Sequence, residues 1–138
     1  MKNNIIIKLD RDSVCMGDDC FSHAEEKEYD KSVTIAYVLE EITHYVPSMY
    51  NVVWTISSPD DLVGFIITDN QGNAEIELNI QNKEIVKLFS SETGVELHCR
   101  YYHQSSFSWT DGKTGEYIEK YKECGTLIDK VKMHCLDF

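Results

Sequence analysis

One stretch in the middle of the chain, LVGFIITDNQGNAEIELNI at residues 62–80, constrains the fold most strongly. Its first half is apolar at consecutive positions, which is typical of a strand buried on both faces. Its second half alternates, with Glu75 and Glu77 separated by apolar residues. The residues between the two halves, DNQGN, are common in turns and include two that tolerate positive φ. The segment therefore predicts an antiparallel hairpin over residues 63–80, with its first strand in the centre of a sheet.

Three further stretches have the composition of strands. Residues 4–9 (NIIIKL) are a short apolar run between polar residues, and residues 51–57 (NVVWTIS) and 94–103 (GVELHCRYYH) alternate. In the last stretch, alternation places Cys99 toward a core, with His98 and Arg100 on the opposite face.

Helical spacing of apolar residues occurs in two places. Residues 33–45 carry an apolar stripe that ends before Pro47, which predicts a helix. Residues 116–135 show similar spacing, interrupted by Gly125, which predicts two helical pieces. Residues 83–89 (KEIVKLF) are compatible with a helical turn or an edge strand.

These elements predict an α+β fold. The sheet would be antiparallel or mixed, with one or two helices packed on it in two layers. A length of 138 residues fits one domain with a substantial core, so we expect a single domain over residues 1–138.

The charge of the chain is strongly negative. Twenty-four acidic residues against thirteen basic ones give a net charge of −11. Residues 9–30 hold eight acids and two bases, or −6 within 22 positions. Such a field repels nucleic acids and anionic lipids and attracts basic proteins. A negative surface also keeps ordinary proteins soluble, so charge alone leaves both interpretations open.

The segment DRDSVCMGDDCFSHAEE at residues 10–26 holds potential metal ligands. Cys15, Cys20 and His23 could supply three zinc ligands, but the paired spacing of structural zinc sites is missing. Asp10 and Asp12 begin like a calcium-binding loop, but the later ligand positions are Val14, Cys15 and Phe21. We therefore expect no metal and no other cofactor.

Catalytic motifs are also missing from the sequence. It contains no G-x-S-x-G, phosphate-binding loop, Rossmann glycine pattern or H-E-x-x-H. Five cysteines and five histidines allow many thiol–imidazole pairs, so any one pair carries little information. We expect that the chain is not an enzyme.

The N-terminal residues bear on cellular location. The apolar run after MKNN is too short for the core of a signal peptide or for a membrane span. With an odd number of cysteines and no export signal, reduced thiols and a cytoplasmic location are expected.

Three segments carry a resemblance to a known family. DRDSVCMGDD (10–19), VLEEITHYVPS (38–48) and VVWTI (52–56), in this order, resemble small bacterial immunity proteins of contact-dependent growth inhibition and other polymorphic toxin systems. The likeness covers about the first ninety residues. It implies a protein without catalytic activity, acting as a monomer in a 1:1 complex with the C-terminal domain of a cognate toxin. Such toxins are often basic nucleases, including enzymes that cleave tRNA.

The resemblance and the charge together predict a partner-binding surface. Rim carboxylates would mainly accelerate association, whereas affinity would rest on a few aromatic anchors. The predicted residues are Asp10, Asp12, Asp18, Asp19, Glu25, Glu26, Glu28, Glu40, Glu41, Tyr102, Phe107 and Trp109.

Structural roles compete with binding at several of these positions. Asp18 and Asp19 follow Gly17 and suit a turn, and Glu40 and Glu41 suit the solvated side of a helix. Tyr102 and Trp109 could instead fill a second small core.

Two other functions also remain open. One is an acidic, nucleic-acid-mimicking inhibitor of another nuclease, and the other is a small Cys/His-dependent metal or thiol enzyme.

Overall fold

The computed structural model describes residues 4–14, 22–89, 94–103 and 125–136. Within these ranges it confirms the α+β class, with six strands in one curled mixed sheet and three helices. The elements are β1 (Asn4–Arg11), β2 (Glu25–Asp30), α1 (Ile35–Tyr45), β3 (Val53–Ser57), β4 (Leu62–Thr68), β5 (Ala74–Leu78), α2 (Ile85–Leu88), β6 (Gly94–Tyr102) and α3 (Leu127–Leu136).

The strands follow the order β2-β1-β6-β3-β4-β5 across the sheet. β1 and β6 are parallel, and every other neighbouring pair is antiparallel. The parallel pair brings the start of the chain beside a strand some ninety residues later, and this contact makes the sheet mixed. β2 and β5 form the two edges.

The predicted hairpin is confirmed as β4 and β5. Its turn is held by Asp69, whose carboxylate oxygen Oδ1 accepts the backbone N–H groups of Gln71 and Asn73, each at 2.9 Å. Gly72 has a φ of 84°, a conformation that glycine adopts without a steric penalty. The turn residues therefore fix the register of the hairpin. β4 is buried over much of its length and lies between β3 and β5, as its apolar sequence predicts.

Helix α1 begins two residues later than predicted. Thr34 is extended and caps the helix, since its side-chain oxygen accepts the N–H of Tyr37 at 3.4 Å. Asn82 caps the same end by accepting the N–H of Ala36 at 3.1 Å. The helix ends at Tyr45, ahead of Pro47.

The main core lies between α1 and one face of the sheet. Alternate residues of β1, β3 and β6 point into it, and α1 contributes its apolar stripe. Burial of each of these aliphatic side chains stabilises the fold by about 1.5–3 kcal/mol. The fully buried members from the sheet and α1 include Ile5, Ile7, Ile35, Val38, Leu39, Ile42, Trp54, Ile56, Ile66 and Cys99.

A second, smaller core lies on the opposite face of the sheet. Leu127 and Val131 of α3 pack there against Val53, Phe65 and Tyr102. A cationic side chain strengthens this contact: Lys132 of α3 places its Nζ 2.5 Å from a carboxylate oxygen of Glu77 and 5.8 Å from the centre of the Phe65 ring. α3 thus covers the β3–β4 side of this face.

Several sequence predictions are refined or corrected. Residues 85–88 form a helical turn, so the edge-strand alternative is wrong, and β3 begins at Val53 rather than at residue 51. Strand β2 is not predicted from the sequence, because EEKEYD lacks the apolar alternation of a half-buried strand. The first helical piece predicted in residues 116–135 lies outside the described residues, whereas the second is α3. None of the helices in the described ranges is long and apolar enough to cross a membrane.

Candidate functional site

The face of β2, β1 and β6 that points away from α1 is polar. Alternation along β1 sends Ile5, Ile7 and Leu9 to the main core, so Lys8 and Asp10 point to the other side. Their neighbours in the sheet follow from the register: Lys8 lies between Glu26 of β2 and Glu96 of β6, and Asp10 lies beside His98 of β6. We call this surface the acidic face.

Carboxylates predominate on the acidic face. Its charged side chains, leaving His98 aside, are six acids and two bases, which gives a formal charge of −4. The acids are Asp10, Asp12, Glu26, Glu28, Asp30 and Glu96, and the bases are Lys8 and Arg100. The described residues as a whole contain sixteen acids and nine bases. The face therefore holds more than a third of the described acids and fewer than a quarter of the described bases, which is an uneven distribution.

Two other segments of the described chain have the opposite balance. The segment around α2 contains Lys83 and Lys87 with one acid, Glu84, and α3 contains two lysines with one acid, Asp129. Negative charge is thus denser on the acidic face than elsewhere, although the other described residues still hold ten acids and seven bases.

A groove of about 970 Å³ begins on the acidic face and continues across β3 to β4 and the end of α3. The strand residues at its floor include Asp10, Thr55, Ser57 and His98, and the end of α3 contributes His134 and Cys135 to its wall. A cavity of this volume is at the upper end of the range for ligand pockets, about 300–1,000 Å³.

Two of the carboxylates that line the groove form no ion pair with another described residue. Glu26 and Glu96 are exposed, and neither forms a salt bridge within the described chain, although Lys8 lies between them in the sheet. Elsewhere on the face, Glu28 accepts a hydrogen bond from the side-chain amide of Asn4 at 3.3 Å. The charges of Glu26 and Glu96 are therefore available to an incoming cation.

Asp12 differs because the fold uses its carboxylate. Oδ1 lies 2.9 Å from Nε2 of His98, and Oδ2 accepts the backbone N–H of Tyr101 at 3.1 Å. Oδ2 also lies 4.0 Å from Nε of Arg100. Asp12 therefore links the end of β1 to β6, in addition to contributing charge to the acidic face.

A second histidine contact lies close by in the sequence. Ser13 Oγ is 3.0 Å from Nε2 of His23, and the hydroxyl of Tyr45 donates a hydrogen bond to the backbone oxygen of His23. Burial is the main reason that the pKa of Tyr45 is raised, so this hydroxyl stays protonated and can donate. The contact attaches the segment that precedes β2 to the C-terminal turn of α1.

The two described cysteines are poor nucleophiles. Burial, reinforced by the nearby Asp12 carboxylate, raises the pKa of Cys99 to about 12, and burial also raises the pKa of Cys135. A reactive cysteine needs the opposite shift, because the thiolate is the nucleophile. These two residues therefore suit packing better than catalysis. Cys15, Cys20 and Cys124 lie outside the described residues.

The predicted partner-binding residues fall into several groups. Asp10, Asp12, Glu26 and Glu28 share the acidic face. Glu25 pairs with Leu9 and so is outside the alternating set of the acidic face, but it is exposed and lines the groove. The remaining acids of the prediction are on α1, where Glu40 is exposed and Glu41 is half-buried, or outside the described residues, as Asp18 and Asp19 are.

Tyr102 was predicted as an aromatic anchor, with a place in a second small core as the alternative. It is 8% exposed, packs in the second core and also lines the groove. Its ring centre lies 5.7 Å from that of His134, and its hydroxyl lies 3.9 Å from Sγ of Cys135. The fold therefore places Tyr102 in the second core, where α3 covers it. Phe107 and Trp109 lie outside the described residues.

Sequence reasoning missed the bases and histidines of the site. Lys8, His98, Arg100 and Ser57 line the groove with the acids, but they were not predicted as site residues. Alternation did place His98 and Arg100 on one face, whereas the approach of Asp12 depends on the parallel pairing of β1 and β6. No spacing in the sequence signals that pairing.

Among the described residues, no group of three or more His, Cys, Asp or Glu side chains is arranged to hold a metal ion. The predicted zinc candidates Cys15 and Cys20 are not among those residues. Comparison of the chain with protein-family models, curated proteins and solved structures found no match in any of the three.

Proposed function

We propose that the chain is an immunity protein that binds a cognate toxin domain and neutralises it by stoichiometric occlusion. The partner would be a basic protein, such as a nuclease that acts on tRNA. The observation that carries the proposal is the acidic face, which bears six carboxylates and two basic side chains and borders a groove that three of those carboxylates line: Asp10, Glu26 and Glu96.

The proposal follows from electrostatic complementarity. A nuclease must hold phosphates with lysine and arginine side chains, so its substrate-binding surface is positive. A negative surface on an inhibitor accelerates encounter with such a protein and disfavours wrong partners. Glu26 and Glu96 suit this role because they are exposed and form no ion pair within the described chain.

Strand β2 borders the groove, since its residues Glu25 and Glu26 line it. A stable interface buries about 800 Å² on each partner, usually with twenty or more residues. The groove and the exposed edge strand β2 together offer a contact surface that includes charged, polar and apolar side chains. Affinity would come from side chains of the toxin that enter the groove, while the surrounding carboxylates would guide its approach.

The test uses the full chain and a toxin domain encoded next to its own gene. We expect a tight 1:1 complex by analytical ultracentrifugation and isothermal titration calorimetry, and rescue of growth when the two are co-expressed. Absence of both binding and rescue would refute the proposal. Capture of a different nuclease from lysate, without rescue from the neighbouring toxin, would favour the nucleic-acid-mimicking inhibitor instead.

A further inference from the structure

The groove changes in chemistry along its length. At the β2–β1 end it is lined by three exposed acids, Asp10, Glu25 and Glu26, and one base, Lys8. At the β3–β4 end it is lined by Pro59 and Leu62. Because the strand order is β2-β1-β6-β3-β4, the acidic and apolar ends are separated by the width of the intervening strands.

The middle of the groove offers hydrogen-bonding groups. Ser57 of β3 and His98 of β6 are paired in the sheet and line the floor. Nε2 of His98 faces Asp12, which leaves its Nδ1 for another partner. Both residues can therefore bond to a main chain that crosses the strands above them.

The strand spacing sets the length of the occupant. Four interstrand steps separate β2 from β4, and at about 4.8 Å each they span about 19 Å. An extended chain advances about 3.3 Å per residue, so about six residues cover this distance. A groove of about 970 Å³ also exceeds what a single inserted side chain would need.

We infer that the groove receives one extended segment of about six residues from the cationic partner, running across the strands. A lysine or arginine at one end of the segment lies against Asp10 and Glu26, and an apolar side chain at the other end lies against Pro59 and Leu62. The inference rests on the proposed function, and it names the part of the toxin that the groove holds. The carboxylates select the cationic end, and desolvation of the apolar end adds affinity.

Three fluorescent hexapeptides test the chemistry of the groove. The first is Arg-Lys-Ser-Gly-Leu-Leu, the second replaces its two cationic residues with glutamates, and the third replaces its two leucines with serines. Titration with the full protein, followed by fluorescence anisotropy, should show binding of the first peptide below about 1 mM and weaker binding of both others by about fivefold or more.

Protein variants locate the binding. Glu26→Lys should weaken binding of the first peptide by about fivefold or more, since it reverses a charge at the acidic end. Glu75→Lys is the matched control, because Glu75 is an exposed carboxylate on β5 at the other edge of the sheet. Equal binding of all three peptides, no binding up to about 1 mM, or an equal effect of the two variants would overturn the inference.

A photocrosslink separates this inference from the proposed function. Benzoylphenylalanine in place of Ser57 should capture, in the complex with the toxin domain, a toxin segment that contains lysine or arginine. A toxin that binds and is neutralised but gives no crosslink at this position would refute the groove as the docking site and leave the proposed function standing. Failure of the wild-type chain to bind the toxin at all would refute both.

Discussion

The carboxylate of Asp12 lies 2.9 Å from the imidazole Nε2 of His98, a residue 86 positions away in the sequence. The same carboxylate accepts the backbone N–H of Tyr101, and the backbone N–H of Asp12 donates to the carbonyl of Cys99 at 2.9 Å. These contacts join the ends of the two parallel strands β1 and β6. Asp12 is thus a structural residue within the acidic face.

Replacement of Asp12 should therefore destabilise the fold. Asp12→Ala leaves the N–H of Tyr101 without its acceptor and removes the contact with His98, which should lower the free energy of unfolding by about 1–3 kcal/mol. Urea denaturation followed by circular dichroism measures this change. Asp10→Ala is the control, because the Asp10 side chain is exposed and bonds the N–H of its neighbour Arg11. Equal stability of the two variants would contradict a structural role for Asp12.

Gly64 should tolerate no side chain. A Cβ atom at this position would lie 2.6 Å from the carbonyl oxygen of Glu77 and 2.7 Å from Cδ2 of Leu39, so β4, β5 or α1 would have to move. We expect Gly64→Ala to lower the free energy of unfolding by about 1–3 kcal/mol. At Gly125 a Cβ atom would meet nothing within 4 Å, so Gly125→Ala should leave stability nearly unchanged. Thermal and urea denaturation of both variants test this contrast.

The parts of the fold that the sequence predicted are those with strong local signals. The β4–β5 hairpin has an apolar run, a turn with Asp69 and Gly72, and an alternating strand, and α1 has a regular stripe and a stop at Pro47. β2 has none of these, because its sequence, EEKEYD, contains one apolar side chain. It forms by pairing with β1 in the sheet, a long-range interaction that overrides its low strand propensity.

The candidate site was predictable only in part. The concentration of acids in residues 9–30 gave Asp10, Glu26 and Glu28, since charge is a local property of the sequence. The groove also depends on Glu96, which enters through the pairing of β1 with β6, and on the end of α3. Whether Tyr102 is buried depends on whether a helix packs on that face of β6. The alternation of residues along the strand does not show this.

The buried thiol of Cys99 should make stability depend on alkaline pH. Burial raises its pKa from 9.0 to about 12 in the folded state, so only the unfolded chain releases this proton once the pH exceeds about 9. The stabilising contribution is therefore complete below about pH 9 and is lost as the pH rises toward 12.

The measurement compares Cys99→Ala with the wild type by urea denaturation between about pH 8 and about pH 11. The variant is less stable at about pH 8, because it leaves a cavity, but its free energy of unfolding should fall less steeply above about pH 9, by up to about 1.4 kcal/mol per pH unit. Burial also raises the pKa of Tyr102 to about 12, and that contribution is common to both proteins. Parallel pH profiles would contradict the assignment to Cys99.

The location of negative charge, rather than its total, should control association with a basic toxin. The double variant Glu26→Lys/Glu96→Lys changes the net charge by +4 on the acidic face, and Glu40→Lys/Glu41→Lys makes the same change on α1, on the other side of the sheet. Long-range attraction falls equally in both. Only the first variant places cations at the groove, so its association rate in about 0.05 M salt should fall about tenfold further than that of the second.

The association rate of the first variant should also depend less on salt, because screening then has less attraction to remove. Stopped-flow measurements at two salt concentrations test this, and equal rates for the two variants would show that the acidic face has no special role in binding.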